Sequence, residues 1–158
     1  METKAKGPQA LVRCALCSAL NRVDMSRAQD RPKCGECGRP MLLDRPLQVT
    51  DADLERTVRE TAVPVLVDFY ADWCGPCKVM APVLDDVASA RAGRVLVLKL
   101  DTDRNPTMAV RYAIRGIPTL IMFVAGREYA REVGAVPRVR LDALIDRALS
   151  GAAPERAG

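Results

Sequence analysis

Residues 63–78 read VPVLVDFYADWCGPCK, and this stretch decides the fold. Val63 to Tyr70 is short and nearly continuously apolar, as expected of a strand buried on both faces. Beyond it Met80, Val83, Leu84 and Val87 recur at helical spacing, predicting an amphipathic helix that begins close to Gly75 and is kinked at Pro82. Val95 to Leu100 (VLVLKL) repeats the buried-strand pattern, so the two runs read as central strands joined through a helix. Further on, Thr119–Val124 and Arg127–Val133 flank Ala125-Gly126, which predicts a hairpin. Leu141, Leu144, Ile145 and Ala148 mark a C-terminal helix. Thr50 or Asp51 is placed to cap a first helix running to about Glu60, and Asn105-Pro106 to start a short one before Tyr112. The class is α/β, with an antiparallel pair at one edge of the sheet.

The chain has 158 residues, 28% charged and 49% hydrophobic, enough for one full domain and a small extra module. Apolar stretches such as Thr119 to Ala125 are too short to span a membrane as a helix. The first ten residues, METKAKGPQA, are polar and lack the apolar core of a secretory signal, although a chain trimmed of its signal would look the same. The expectation is a soluble, cytoplasmic protein in a reducing compartment, where structural disulfides rarely persist. There is no histidine. That excludes a Cys-His pair, a Ser-His-Asp triad and every histidine-liganded metal centre, leaving chemistry to cysteine, carboxylate, lysine or backbone groups.

The six cysteines form two groups, Cys14, Cys17, Cys34 and Cys37, then Cys74 and Cys77 after a gap of 36 residues. Between them Gly38 to Pro46, with Pro40 and Pro46, reads as a connector. The expected division is a flexible terminus at 1–10, a four-cysteine module at 11–40, a connector at 41–46, the α/β domain at 47–150 and a frayed tail at 151–158. Residues 1–46 hold nine Lys or Arg against five Asp or Glu, and the remainder is balanced. Four zinc-bound thiolates would reduce the front charge to about +2, so any hint of an anionic partner is weak.

Cys74 and Cys77 fall where the buried strand turns into the helix. Unpaired backbone N–H groups and the positive end of the helix dipole stabilise a thiolate there. The separation of three also lets the sulfurs join as a disulfide. A redox mechanism follows, in which Cys74 attacks a substrate disulfide and Cys77 resolves the mixed disulfide. The competing readings are a second zinc half-site or two inert core cysteines. Asp68 stands inside the apolar run, where burial would raise its pKa and fit it to take the proton from Cys77. Alternatively it lies at a strand end, solvated or ion-paired with Lys99 on the adjacent strand.

VDFYADWCGPCK at 67–78, APVLDDVA at 81–88, LKLDTDRNP at 98–106, RGIPTLIMF at 115–123 and EVGA at 132–135 together resemble thioredoxin. The likeness spans nearly all of residues 47–150 and implies the thioredoxin fold, a central mixed sheet flanked by helices. It also implies a protein-disulfide reductase with a cis-proline at Pro118, and with Trp73, Gly75, Pro76, Ile117, Gly134 and Ala135 forming the surface where substrate docks. Asp68 and Lys99 match the family's buried acid and its lysine partner. Tyr70 departs from the Trp or Phe of many members. The Gly-Pro between the cysteines resembles reducing members rather than oxidants or isomerases, which usually carry a histidine there.

The spacing Cys14-x2-Cys17-x16-Cys34-x2-Cys37 offers two knuckles that complete a tetrahedron around one zinc ion, in a segment too short to fold on its own core. A disulfide switch is the competing reading. Gly35 and Gly38 ease the second knuckle. Ahead of such a domain, the module resembles the zinc-containing thioredoxin 2 type, with Ser18 where that type has a glycine. This resemblance implies one structural Zn2+ per chain and no bound organic cofactor. It also implies recycling by NADPH-dependent thioredoxin reductase, disulfide-containing protein substrates and a monomer. Two alternatives stand beside it: a zinc ribbon gripping nucleic acid or protein through Arg22, Arg27, Arg31 and Lys33, and zinc release as an oxidant sensor. The ribbon lacks aromatic residues to stack on bases, which disfavours nucleic acid.

Overall fold

The computed structural model describes residues 7–153. Its main sheet has five strands in the order β3-β5-β4-β6-β7, with β3 at Leu47–Gln48, β4 at Val65–Tyr70, β5 at Leu96–Asp101, β6 at Thr119–Val124 and β7 at Arg127–Val133. β3, β5 and β4 run parallel, while β6 is antiparallel to β4 and β7 to β6. The parallel pair β4 and β5 is crossed by helix α2 at Gly75–Ala90, the connection that parallel strands need. Helices α1 (Leu54–Glu60), α3 (Pro106–Arg111) and α4 (Arg138–Ser150) complete the domain.

The two apolar faces of the sheet bury separate clusters. Leu66, Val97, Leu120 and Met122 pack under α2 and α4, against Met80, Leu84, Val87, Leu141 and Ile145. Val65, Val67, Phe69, Leu98, Ile121 and Phe123 face the other way, toward Leu54 and Val58 of α1. Strand residues alternate between faces, so Asp68 and Tyr70 share the α2 side with Leu66. In the β6–β7 hairpin, Ala125 and Gly126 both take positive φ (52° and 79°), the backbone that a two-residue turn between twisted strands requires.

The N-terminal residues build a second, two-stranded sheet from β1 (Gln9–Arg13) and β2 (Leu20–Asp24), followed by a 3-10 turn at Met25–Asp30. Ala10, Val12, Val23, Met25 and Ala28 belong to the same apolar cluster as Phe69 and Phe123. Main-chain atoms join the two parts: Ala62 N donates to Gln9 O at 2.8 Å, and Leu11 N donates to the Thr61 hydroxyl at 3.1 Å. Arg13 pairs with the nearly buried Asp53 at 3.3 Å.

Three expectations change. Of the two expected caps Thr50 takes the role: its hydroxyl accepts from Ala52 N at 3.3 Å and its N–H donates to Asp53 Oδ1 at 2.7 Å, a reciprocal bracket ahead of α1 at Leu54. Asp51 instead accepts from Thr107 N and Met108 N (3.1 and 2.8 Å), capping the distant α3. In the connector, Met41 and Leu43 are buried in the cluster under α1. Of the expected flexible terminus, residues 1–6 lie outside the described residues, whereas Gln9 and Ala10 are strand. Of the tail, 154–158 lie outside them too, while Ala152 O accepts from the Tyr129 hydroxyl. No helix among the described residues is long and apolar enough to cross a membrane.

Candidate active site and metal centre

At the C-terminal end of β4 the chain turns through Ala71–Trp73 into α2, and Cys74 is the residue that caps this helix. Its backbone is extended (φ −83°, ψ 116°) and its sulfur accepts from Cys77 N at 3.2 Å, the place a capping oxygen usually takes. Pro76 occupies the first turn, where its missing N–H costs no helix bond. Cys74 and Cys77 are joined as a disulfide with Cα atoms 5.3 Å apart, and both are buried. A thiolate released at Cys74 would face backbone N–H groups at the positive end of a sixteen-residue helix.

Across from the disulfide, Ile117 O lies 3.7 Å from Cys74 Sγ, and the Ile117–Pro118 peptide is cis. Pro118 is buried, and its carbonyl accepts from Gly134 N at 2.7 Å. This bond brings the Gly134-Ala135 turn to the same rim, with Gly134 at φ 91° and open space where a side chain would stand. Gly75 likewise meets nothing within 4 Å. Pro76 and Ala135 are exposed, Ile117 is half-buried, and Trp73 is 70% exposed with its indole donating to Asp103 Oδ2 at 2.8 Å. Asp103, thirty residues away in the β5–α3 loop, carried no signal in the sequence.

Asp68 sits in mid-strand, 1% exposed, and its Oδ1 has no hydrogen-bond partner. Burial pushes its carboxyl up to about 7, with the charge of Lys99 pulling the other way. Lys99 is its register neighbour on β5, yet no ion pair joins the two side chains among the described residues. The Lys99 ammonium lies instead 4.5 Å from the centre of the Tyr70 ring. Asp68 is therefore neither solvated at a strand end nor salt-bridged.

In the N-terminal module the four sulfurs of Cys14, Cys17, Cys34 and Cys37 lie within 4.8 Å of one another. Cys14···Cys37 and Cys17···Cys34 are 3.7 and 3.6 Å, close to the ~3.8 Å edge of a tetrahedron with 2.3 Å zinc–sulfur bonds. Ser18 N returns to Cys14 O and Gly38 N to Cys34 O, both at 2.9 Å, so each pair closes the same tight turn. Ser18 adopts φ 67° there, beside 75° at Gly38, which is why glycine suits the position. Leu16 N points to Cys14 Sγ, and Glu36 N and Asn21 Nδ2 point to Cys34 Sγ, all at 3.4 Å. Asn21 also accepts from Gly35 N at 2.8 Å, bracing the second knuckle from β2. The backbone at Cys37, the Asn21 amide and the backbone at Glu36 draw the Cys34 thiol down to about 6, and the backbone at Cys17 and Leu16 lowers Cys14. A soft, all-sulfur, tetrahedral donor set with N–H groups aimed at the sulfurs fits zinc.

A family model described as Thioredoxin matches residues 45–147, and one described as Thioredoxin 2, N-terminal matches residues 13–39. The chain is similar to a thioredoxin of Acidithiobacillus ferridurans, 48% identical over 103 residues that make up 65% of this chain and 95% of that protein. Thioredoxin 1 of Nostoc sp. is 46% identical over 102 residues, again 65% and 95% of the two chains. Among solved structures, an N21Q mutant thioredoxin from Halobacterium salinarum NRC-1 aligns with a TM-score of 0.62 at 34% identity, covering 73% of this chain and 96% of that one.

Proposed function

Because the chain belongs to the thioredoxin family and is a thiol-disulfide oxidoreductase, we propose that it reduces protein disulfides with Cys74 as nucleophile and Cys77 as resolving thiol. The observation that carries the assignment is the capping geometry, with Cys77 N bonded to Cys74 Sγ at the head of α2. In the reduced protein, the Cys74 thiolate attacks one sulfur of a substrate disulfide and the other leaves as a thiolate. Cys77 then gives its proton, through a bridging water, to the Asp68 carboxylate and attacks Cys74 Sγ. The second substrate thiolate departs, and two electrons have passed to the substrate as the Cys74–Cys77 bond forms. A carboxyl poised at about 7 is matched to that proton at neutral pH.

The rim of Trp73, Gly75, Pro76, Ile117, Pro118, Gly134 and Ala135 receives an extended substrate segment, for which Gly75 and Gly134 leave the backbone open. Lys99 supports the acid electrostatically. Thioredoxin reductase restores the dithiol, and the setting is the cytoplasm, with the protein acting as a monomer without a bound organic cofactor. The zinc module runs from β1 at Gln9 to residue 40, 41–46 is a connector packed into the shared core, and 47–150 is the catalytic domain. Cys14, Cys17, Cys34 and Cys37 hold one structural zinc, which supplies the folding free energy of the module rather than chemistry.

Insulin reduction tests the assignment. Cys74→Ser is expected to abolish turnover, and Cys77→Ser to accumulate a mixed disulfide on Cys74. Undiminished turnover by Cys74→Ser would remove the assignment.

A further inference from the structure

We propose that Tyr70 is a positioning residue for the reaction: its ring holds the Lys99 ammonium beside Asp68 and so sets the proton affinity of the acid. The proposal rests on the assignment of Asp68 as the proton acceptor and adds to it the means by which that acid is tuned.

The geometry comes from the register of the sheet. Gln48 on β3 pairs with Lys99 on β5, Lys99 with Asp68 on β4, and Asp68 with Leu120 on β6, so the four side chains form one row across the α2 side of the sheet. Tyr70 is two residues beyond Asp68 and therefore on the same side, diagonal to Lys99. From there its ring lies under the ammonium at 4.5 Å, while its hydroxyl accepts from Gln48 Nε2 at 2.8 Å. Its own backbone is fixed by Thr102, whose N–H and hydroxyl both donate to Tyr70 O (2.8 and 3.1 Å). The ring also packs against the cluster of Ala71, Cys74 and Cys77. Tyr70 thus spans the distance between the lysine and the redox pair, its ring seated on Ala71, Cys74 and Cys77 and its hydroxyl bonded to exposed Gln48.

A lysine on four rotatable bonds is not held beside a buried carboxyl that it does not contact while that carboxyl is protonated. The electron-rich ring face supplies that hold. The charged or titratable groups facing this row are few. Lys99 and Asp101 come from β5, Asp68 from β4 and Asp72 from the β4–α2 loop, while Cys77 of α2 packs on the Tyr70 ring. β3 and β6 contribute only Gln48 and Leu120. Arg104 pairs with Asp101 at 3.8 Å but is mostly exposed, and Lys99 is the cation whose charge acts on Asp68, so moving it away removes that pull.

The test is a pH titration of the Asp68 side-chain carboxyl by 13C NMR in wild type, Tyr70→Phe, Tyr70→Leu, Lys99→Met and the Tyr70→Leu/Lys99→Met double variant. Tyr70→Phe keeps the ring and is expected to leave the midpoint in place. Tyr70→Leu and Lys99→Met are each expected to raise it by about one unit, and the double variant no further than Lys99→Met alone. An unmoved or lowered midpoint in Tyr70→Leu, or shifts that add in the double variant, overturns the proposal. In wild type and Tyr70→Phe the Lys99 ε-protons should be displaced upfield by the ring current. Their absence in wild type overturns it even where the leucine variant fails to fold. Insulin turnover is read separately: its absence in wild type would sink the reductase assignment, whereas a normal rate with an unresponsive carboxyl would sink only the role of Tyr70.

Discussion

Asn in place of Asp68 is expected to stabilise the protein at pH 8 relative to its effect at pH 4. The carboxyl titrates near its ordinary value of 3.8 in the unfolded chain and at about 7 in the folded one. Below about pH 4 both states hold the proton and burial of the acid carries no ionisation penalty. Between about pH 4 and 7 the native state keeps a proton that the unfolded chain has released, so stability falls as pH rises. Above 7 both are ionised and the penalty is complete. A displacement of about three units corresponds to about 4 kcal/mol. Asparagine has nearly the same shape, but it places an amide where Oδ1 already lacks a partner, at a cost of about 1–3 kcal/mol that does not depend on pH. The quantity to follow is therefore the change with pH in the difference between variant and wild type. Guanidinium unfolding at pH 4, 6 and 8 measures it, with the disulfide kept intact so that neither active-site thiol titrates. The gap should move in favour of the variant by several kcal/mol from pH 4 to pH 8. A gap that stays constant, or moves the other way, would refute the reasoning that burial governs this acid.

Asn21→Ala removes the amide that touches Cys34 Sγ and braces Gly35 N, and is expected to weaken zinc binding about 10–100-fold. Competition against a chromophoric chelator measures this, and unchanged affinity would show that Asn21 does not support the ligands. Gly93→Ala puts a Cβ 2.8 Å from Met25 O at a residue with φ 86°, so it should lower stability by about 1–3 kcal/mol in denaturant unfolding. Wild-type stability in that variant would mean that the 3-10 turn yields freely and does not press on the domain.

The β6–β7 hairpin was legible to the residue because strand alternation and the Ala125-Gly126 turn are local signals. Each Cys-x-x-Cys pair is local in the same way, with Cys74 and Cys77 joined as a disulfide and each pair of the N-terminal module closing a tight turn. Asp51, the alternative to Thr50 as the cap of α1, shows the opposite case. As a residue shortly before a helix it looks like that helix's cap, but its partners are Thr107 and Met108, more than fifty residues on. Asp103 beneath the Trp73 indole and Tyr70 beneath the Lys99 ammonium were hidden in the same way, since each contact depends on strand register or loop closure. Ion pairing with Lys99 is the alternative that the sequence leaves open for Asp68, and register does place the lysine alongside. Which of two neighbours the ammonium prefers is decided by desolvation of the acid and by the ring face, and neither is written in the order of residues.

The connector shows how local signals mislead about larger organisation. Pro40 and Pro46 do interrupt regular structure, yet Met41 and Leu43 between them are buried against the α1 side of the sheet. Together with Val12, Val23 and Met25 they make the module part of the same core that holds Phe69 and Phe123. A zinc ion held by the four cysteines would contribute its binding free energy to folding of the module. Because that apolar surface is shared, and because Gln9 and Arg13 tie β1 to Ala62 and Asp53, the same free energy would also stabilise the α1 face of the domain. Asp68, Tyr70 and the helix bearing Cys74 and Cys77 stand on the other face. A change in the module can therefore reach the redox pair through the strands, or through α3, whose Met108 lies in the shared core, and the adjoining loop whose Asp103 accepts from the Trp73 indole.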